Sequence, residues 1–126
     1  MPLVRVDLPA TFTAEERTAI ADVIYNSLVT IASVPVNDKF VVFAEHQPGT
    51  LVMDPTYMVE RTDRALIVQI TFTVGRTVEI KKDLYRAIAE GLHNAIGLRT
   101  EDVFINLVEV PKENWSFGGG VAQYAD

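Results

Sequence analysis

The feature that most constrains the fold is an internal repeat, because the chain resembles itself when it is shifted by 64 residues. The alternating segment at 3–8 then falls on 67–72, and both segments read as half-buried strands. Thr13 falls on Thr77, and each threonine is a plausible helix N-cap. An apolar i, i+4, i+8 stripe follows each cap, formed by Ile20, Ile24 and Leu28 in the first copy and by Leu84, Ile88 and Leu92 in the second. Each half is therefore predicted to fold as strand, helix, strand.

The repeat also sets the predicted boundaries and topology. We place strands at 2–8, 39–45, 65–73 and 103–109, and helices at 14–33 and 78–96. A helical crossover makes the two strands of each unit parallel. The predicted fold class is α/β (α+β), a duplicated β-α-β unit that forms a four-stranded sheet with two helices on one face. We interpret the whole chain, 1–126, as one domain with pseudo-repeats at about 2–45 and 65–109 and a C-terminal tail at 111–126.

Two further features of the sequence bear on packing. The sheet face opposite the helices is predicted to carry apolar side chains such as Leu3, Phe43 or Ile67, depending on register. Such a face is too apolar to remain in water, so we expect the chain to self-associate. The joint between the repeats, roughly 46–64, is rich in turn-forming residues, and a short hairpin around 51–53 is compatible with that pattern.

Composition narrows the function classes. Of 126 residues, 48% are hydrophobic and 22% charged, which is typical of a globular protein and excludes disorder. A net charge of −6 without a basic patch argues against a nucleic-acid partner. The chain has no cysteine, and His46 and His93 lie far apart in the sequence, so neither a metal site nor a Ser-His-Asp triad is expected. Since no apolar run approaches ~20 residues, we expect a cytoplasmic protein without a membrane partner.

Pro2 is the first candidate for chemistry. We expect an aminopeptidase to remove Met1, since proline at the second position is small, and this would leave a secondary amine at the start of a strand. An α-amino group titrates near ~8. An apolar pocket or a nearby cation lowers that pKa toward neutrality, where a general base works best. The alternative is that Pro2 is an ordinary residue. Leu66 takes its place in the second repeat and has no free amine, so only the first repeat can hold such a catalyst.

Arg76 is the second candidate, because it follows Gly75 at the end of the third strand and just before the second helix. A crevice at the carboxyl ends of parallel strands is where α/β sheets bind ligands. An arginine there would hold a carboxylate through two parallel hydrogen bonds and would lower the pKa of a nearby Pro2 amine. The alternative is a solvated loop arginine. Arg5 and Arg61 are further cations, but nothing in the sequence directs them at Pro2.

Trp115 and Phe117 precede three glycines, Gly118–Gly120, which let the tail fold tightly across a surface. The two aromatic rings would supply an apolar wall beside the amine, or would pack against a neighbouring subunit. His46, Tyr57 and Tyr124 are polar groups in predicted loops and are possible accessories to the site.

Four segments carry a resemblance to a known family: Pro2–Leu8, Val34–Phe40, Ile70–Arg76 and Glu113–Gly118. Together with the duplication, they resemble the tautomerase superfamily, in particular its long single-chain branch of malonate semialdehyde decarboxylase and related proteins. The resemblance covers essentially the whole chain. It implies a tautomerase/MIF-like fold, a homotrimer and cofactor-independent chemistry on a small oxo acid.

The resemblance also adds Asp38 to the candidate site residues, and it shows one departure from the family pattern, at Val74. Asp38 matches the acidic residue that the decarboxylase pattern uses to position water or to orient the proline. Asp102 holds the same place in the second repeat, so Asp38 alternatively just begins a strand. Arg76 matches an arginine of the pattern, but Val74 stands where the pattern has a second arginine. This departure removes one carboxylate contact and counts against decarboxylation.

The first functional hypothesis is an enzyme that uses Pro2 for proton transfer on a small oxo acid, with Arg76 holding the carboxylate. It has two versions, keto-enol tautomerisation of a 2-oxo acid and decarboxylation of a 3-oxo acid. The alternative from another class is a trimeric binding module that keeps the fold without the chemistry. A third alternative is an assembly protein in which the proline is incidental.

Overall fold

The computed structural model describes residues 2–125. The strands are β1 (Leu3–Pro9), β2 (Val41–His46), β3 (Leu66–Thr73) and β4 (Val103–Val110), and the helices are α1 (Ala14–Ile31) and α2 (Val78–Ile96). Every predicted strand and helix is found, with each end within two residues of its predicted position. Short 3-10 turns at Thr100–Asp102 and Lys112–Asn114 flank β4.

The four strands form one sheet in the order β2-β1-β3-β4. β1 pairs parallel with β2 and β3 pairs parallel with β4, while β1 and β3 run antiparallel at the centre. Successive side chains of a strand point to opposite faces, and one face carries the core. Its buried side chains are Val4, Val6 and Leu8 of β1 and Leu66, Val68, Ile70 and Phe72 of β3. Both helices cover that face, which confirms the predicted fold class.

The helices begin where the sequence predicts. The Thr13 side chain accepts the Glu16 backbone N–H at 3.1 Å, and the Glu16 carboxylate accepts the Thr13 N–H at 2.9 Å, which completes a capping box. Where α2 passes α1, Gly91 leaves room for Val23, because a Cβ at residue 91 would lie 2.7 Å from the Val23 Cγ1. Among the described residues, no helix combines the length and apolar character needed to cross a membrane.

The open face of the sheet differs from the prediction. Phe43 lies on the helix side and packs against the core, because its parallel pairing with Val6 puts both side chains on one face. Leu3 and Ile67 do lie on the open face, and Val42 and Phe104 expose apolar surface there, but polar side chains stand among them. These include Arg5, Asp7, Gln69 and Asn106.

The suggested hairpin at 51–53 is wrong, since these residues form no strand. The joint is instead a loop that side chains hold in shape. The Asp54 carboxylate accepts the backbone N–H groups of Thr56 and Tyr57, at 3.1 and 2.9 Å. Arg61 donates from Nη1 to the carbonyls of Asp54 and Tyr57, at 2.9 and 2.8 Å. These bonds satisfy backbone groups that strand pairing would otherwise have to satisfy.

Candidate active site

Pro2 is buried and lies immediately before β1. The antiparallel register of β1 and β3 sets it at the level of Phe72, close to the carboxyl end of β3. Val4 donates its backbone N–H to the Phe40 carbonyl at 3.0 Å, so Pro2 also lies beside the start of β2. Met1, whose removal is predicted, lies outside the described residues.

Arg76 reaches the same end of the sheet from the turn between β3 and α2. Its Nε and Nη2 donate to the Ala32 carbonyl at 3.1 and 3.0 Å, and Nη1 donates to the Thr73 carbonyl at 2.9 Å. The guanidinium lies over the Phe72 ring, 4.6 Å from its centroid. A guanidinium has five N–H donors, so within residues 2–125 Nη1 and Nη2 each retain one N–H for a ligand.

Two features of its surroundings act on the pKa of Arg76 in opposite directions. Burial lowers the pKa of Arg76, and the nearby Glu109 carboxylate partly opposes that shift. Glu109 accepts the Lys81 Nζ at 2.7 Å, and this hydrogen bond is the main reason that the pKa of Glu109 is lowered. Glu109 also accepts the backbone N–H of Gly75. The turn that carries Arg76 is thereby fastened to β4.

Asp38 is half-buried and precedes β2 at this end of the sheet. The parallel register of β1 and β2 brings it to within one residue of the level of Pro2. The turn that carries it is fixed, because Asn37 adopts a left-handed φ of 75° and donates its backbone N–H to the Tyr25 hydroxyl at 2.8 Å.

An aromatic wall, defined as Phe40, Trp115, Phe117 and Tyr124, closes this end of the sheet. The Trp115 and Phe117 rings stack with centroids 5.5 Å apart and planes inclined by 2°. Tyr124 meets Phe117 edge-on at 5.1 Å, and Phe40 lies 6.4 Å from it. The Trp115 indole N–H donates to the Thr73 hydroxyl at 3.2 Å, which ties the wall to the end of β3.

Gln123 holds the tail in its folded shape. This side chain accepts the Phe117 backbone N–H at 2.9 Å and donates to the Gly118 carbonyl at 2.9 Å. Gly118 has a φ of 140°, where a side chain would be strained, so the sharp return of the chain requires glycine there.

The structure thus brings together Pro2, Asp38, Arg76, Trp115 and Phe117, the site residues predicted from the sequence, at one end of the sheet. Sequence reasoning missed Phe40 and Thr73 and ranked Tyr124 as an accessory only. Phe40 was detectable from the parallel pairing of β1 and β2, which places the residue before β2 beside the start of β1. Tyr124 carried no local signal, since only the fold of the glycine-rich tail brings it back to Phe117.

The other residues considered from the sequence lie elsewhere. His46 ends β2 at the opposite end of the sheet, where its Nε2 lies 2.8 Å from the Asp7 Oδ1. Tyr57 and Arg61 belong to the loop between the repeats. Arg5 is exposed on the open face of β1.

The residues at this end of the sheet are suited to binding a small carboxylic acid. Pro2 is buried and lies at the level of Phe72, and the Arg76 guanidinium lies over the ring of Phe72. Arginine recognises carboxylates, and an apolar wall strengthens electrostatic interactions beside it. The site suits a small carboxylic acid whose reactive carbon lies near Pro2.

Comparison with known proteins gives a consistent result. The chain matches two families described as tautomerase enzymes, one over residues 38–118 and the other over 2–61. It is 38% identical to probable tautomerase YusQ and 30% identical to probable tautomerase YrdN, both from Bacillus subtilis (strain 168). Each alignment covers 98% of this chain, and the alignments cover 98% of YusQ and 96% of YrdN.

Solved structures agree with these relatives. The chain superposes on a malonate semialdehyde decarboxylase inhibited by 3-bromopropiolate with a TM-score of 0.90 and 36% identity, over 97% of this chain and 93% of that chain. A second malonate semialdehyde decarboxylase gives a TM-score of 0.90 at 27% identity, over 97% and 95% of the two chains. The duplicated fold, the matched families and these relatives together establish that the chain belongs to the tautomerase superfamily.

Proposed function

We propose that this protein is a cofactor-independent enzyme that uses an N-terminal Pro2 for proton transfer on a small oxo acid. The tautomerisation of a 2-oxo acid is the reaction that its geometry supports best. The observation that carries the proposal is the meeting of buried Pro2, Arg76 and the aromatic wall at one end of the sheet.

The environment of Pro2 supports a role as a base. Burial disfavours the protonated amine, and a guanidinium nearby acts in the same direction, so both lower the pKa of a free Pro2 nitrogen. Asp38 would act in the opposite direction. The balance of these groups sets the fraction of neutral amine at physiological pH.

The second repeat supports a place for Asp38 at the amine. Asp102, its counterpart there, accepts hydrogen bonds from Thr62, in the segment that leads into β3. The carboxylate at this position of the repeat thus faces the chain that precedes a first strand. In the first repeat Pro2 corresponds to Leu66, four residues after Thr62, and Asp38 lies within one residue of the level of Pro2, so Asp38 would lie near its amine.

The reaction proceeds in two proton transfers. The neutral Pro2 nitrogen takes the proton from the enol hydroxyl, and the O–H electron pair forms the carbonyl while the C=C pair moves onto the adjacent carbon. The protonated Pro2 then returns its proton to that carbon, so no proton is gained or lost. Throughout, the free Nη1 and Nη2 N–H groups of Arg76 would bind the substrate carboxylate, and the aromatic wall would exclude water.

Decarboxylation of a 3-oxo acid is the second candidate, supported by Asp38 and by the 36% identity to a malonate semialdehyde decarboxylase. In that reaction a protonated Pro2 would donate a hydrogen bond to the 3-carbonyl as the C–C bond to the carboxylate breaks. The enolate that is left would then take the Pro2 proton at carbon, and Pro2 would regain a proton from water. Val74, which is 55% exposed beside Arg76, offers no second cation for the departing carboxylate.

A homotrimer is part of the proposal. The open sheet face exposes Val42 and Phe104 to solvent in a single chain. Solved structures of the same fold include a fused 4-OT described as a symmetric trimer, with a TM-score of 0.80 at 21% identity. Sedimentation equilibrium should give three times the chain mass, and a monomer would remove this part of the proposal.

The test begins with the intact mass, which must show that Met1 is absent. The protein is then added to 2-oxobutanoate in D₂O, and loss of the C3 proton signal is followed by NMR. Pro2→Ala should reduce the rate by about 100-fold or more, the usual contribution of a general base. Pro55→Ala, in the distant loop, is the matched control and should leave the rate unchanged.

The same samples separate the alternatives. Acetaldehyde formed from malonate semialdehyde by the wild type but not by Pro2→Ala would establish the decarboxylase. If the intact mass retains Met1, or if Pro2→Ala keeps full activity, the proline chemistry is refuted and a binding module on this fold is favoured. Arg76→Lys should raise KM about tenfold or more, since a lysine cannot form the paired hydrogen bonds.

A further inference from the structure

A cavity of about 930 Å³ opens at the other end of the sheet, where β1 and β2 end and β3 begins. It contains none of the residues assigned to the candidate active site. The lining residues that matter here are Pro9, His46, Leu51, Met53, Arg64 and Ala65.

The internal repeat relates this cavity to the Pro2 site. A shift of 64 residues carries Leu51 onto Trp115 and Met53 onto Phe117, so the apolar wall recurs in aliphatic form. The same shift places Leu66 where the first repeat has Pro2. Leu66 is fully buried and has no free amine. The cavity is therefore the counterpart of the active site in the second repeat, without its base.

A cation is nevertheless present, although it comes from a different residue. The counterpart of Arg76 is Phe12, and the Arg64 guanidinium lies over the Phe12 ring, 3.9 Å from its centroid. Arg64 donates from Nη2 to the Glu16 Oε2 at 2.6 Å, and within residues 2–125 its Nε and Nη1 have no partner. Both ends of the sheet thus hold a guanidinium that rests on a phenylalanine ring.

The other groups at the cavity set its selectivity. His46 presents an imidazole, held by Asp7 at 2.8 Å, and its Nδ1 lies 3.5 Å from the Thr50 hydroxyl. Asp63 also lines the cavity, and Glu16 shares the charge of Arg64. These carboxylates weaken the attraction of the cavity for an anion.

We propose that this cavity is a second carboxylate-binding site, in which Arg64 holds a small carboxylic acid whose aliphatic chain packs on Leu51 and Met53. It binds without catalysing, because Leu66 replaces the proline. This proposal rests on the cavity and on the repeat, and it holds whether or not Pro2 performs proton transfer.

The test uses butanoate, which has no oxo group to react, and the chain labelled with ¹³C at the methionine methyls and ¹⁵N at tryptophan. Met53 reports on the cavity, and the exposed Met58 is its control. The single Trp115 reports on the Pro2 site. Butanoate should shift the Met53 and Trp115 signals with separate saturation curves, and neutral butanamide should shift the Met53 signal far less.

Substitutions of the two arginines assign each saturation curve to one of the two sites. Arg64→Gln should weaken the Met53 response about tenfold or more, the effect of losing one strong polar contact, and should leave the Trp115 curve in place. Arg76→Gln should do the reverse. Glu16→Gln removes the carboxylate that competes for Arg64 and should strengthen the Met53 response.

A second pair of variants does not depend on Arg64. Leu51→Glu places a fixed carboxylate in the cavity and should abolish the Met53 response, whereas Leu51→Gln should retain it. An unmoved Met53 signal at saturating butanoate, or equal responses of the wild type and Arg64→Gln, would overturn the proposal. So would a change of sedimenting mass in Leu51→Glu with no binding in the wild type, since the cavity would then be a contact between copies of the chain.

Discussion

The carboxylate of Asp102 accepts both the backbone N–H and the hydroxyl of Thr62, at 2.7 and 2.5 Å, and Asp102 is only 1% exposed. These two bonds fasten the end of the loop between the repeats to the start of β4. They connect residues 40 positions apart in the sequence.

Asp102→Asn should therefore lower the free energy of unfolding by about 2 kcal/mol, the cost of losing hydrogen bonds to a buried charge. A double-mutant cycle with Thr62→Val in urea should show the two residues coupled by about 1 kcal/mol. The exposed Asp63→Asn is the control and should change stability by less than about 0.5 kcal/mol. Additive effects of the two variants would contradict the role of this pair.

Gly91→Ala should destabilise the protein although alanine favours helix more than glycine by about 1 kcal/mol. The new Cβ would lie 2.7 Å from the Val23 Cγ1, and a β-branched side chain has little freedom to move away. Overpacking of this kind costs about 1–3 kcal/mol. In a Val23→Ala background the same change should stabilise by about 0.5–1 kcal/mol, because only the helix propensity remains. Thermal unfolding of the four proteins gives the comparison.

Glu16 should contribute a pH-dependent part of the stability. Hydrogen bonding from the Thr13 backbone N–H, assisted by Arg64, lowers the pKa of Glu16 below its ordinary value of 4.5. A group whose pKa falls on folding stabilises above its unfolded pKa and loses that effect as the pH drops through its folded pKa. The stability difference between wild type and Glu16→Gln should thus be largest near neutrality and disappear in acid below pH 4.5. A difference that stays constant with pH would show that the charge is unimportant.

Glu109 should act on the proposed reaction by positioning Arg76, because it accepts both Lys81 Nζ and the Gly75 backbone N–H beside it. Glu109→Gln should raise KM for the oxo acid about tenfold with a smaller loss in kcat, since a looser turn weakens substrate binding. Asp83→Asn, an exposed change on α2, the helix that carries Lys81, should alter neither constant. A fall in kcat with unchanged KM would instead place Glu109 in the chemical step.

Most of the fold could be predicted from the sequence, because the pattern of each strand and helix occurs twice, once in each repeat. The helices were predicted well, since their starts carry strong local signals, the N-caps Thr13 and Thr77. The face of β2 was not, because its apolar run fits either register and only pairing with β1 places Phe43 on the core side. The loop at 51–53 was misread because Asp54 and Arg61 act across several residues, which no local pattern indicates.

The sequence could predict those site residues whose positions follow from the ends of the strands. Arg76 follows β3 and Pro2 precedes β1, so an antiparallel central pair brings them to one end. The engagement of Arg76 with the Ala32 carbonyl could not be predicted, since it depends on where α1 ends relative to β3. The cavity near Arg64 was also not predicted. The repeat matches Arg76 to Phe12, so it gives no reason to expect a cation from Arg64.

The duplication has an evolutionary consequence. When a protein is assembled from identical copies of one short chain, each mutation appears in every copy. Here the two units share one chain, so Leu66 of the second unit can diverge from Pro2 of the first, and Phe12 of the first unit can diverge from Arg76 of the second. Fusion thereby lets selection change one end of the sheet while the other stays constant.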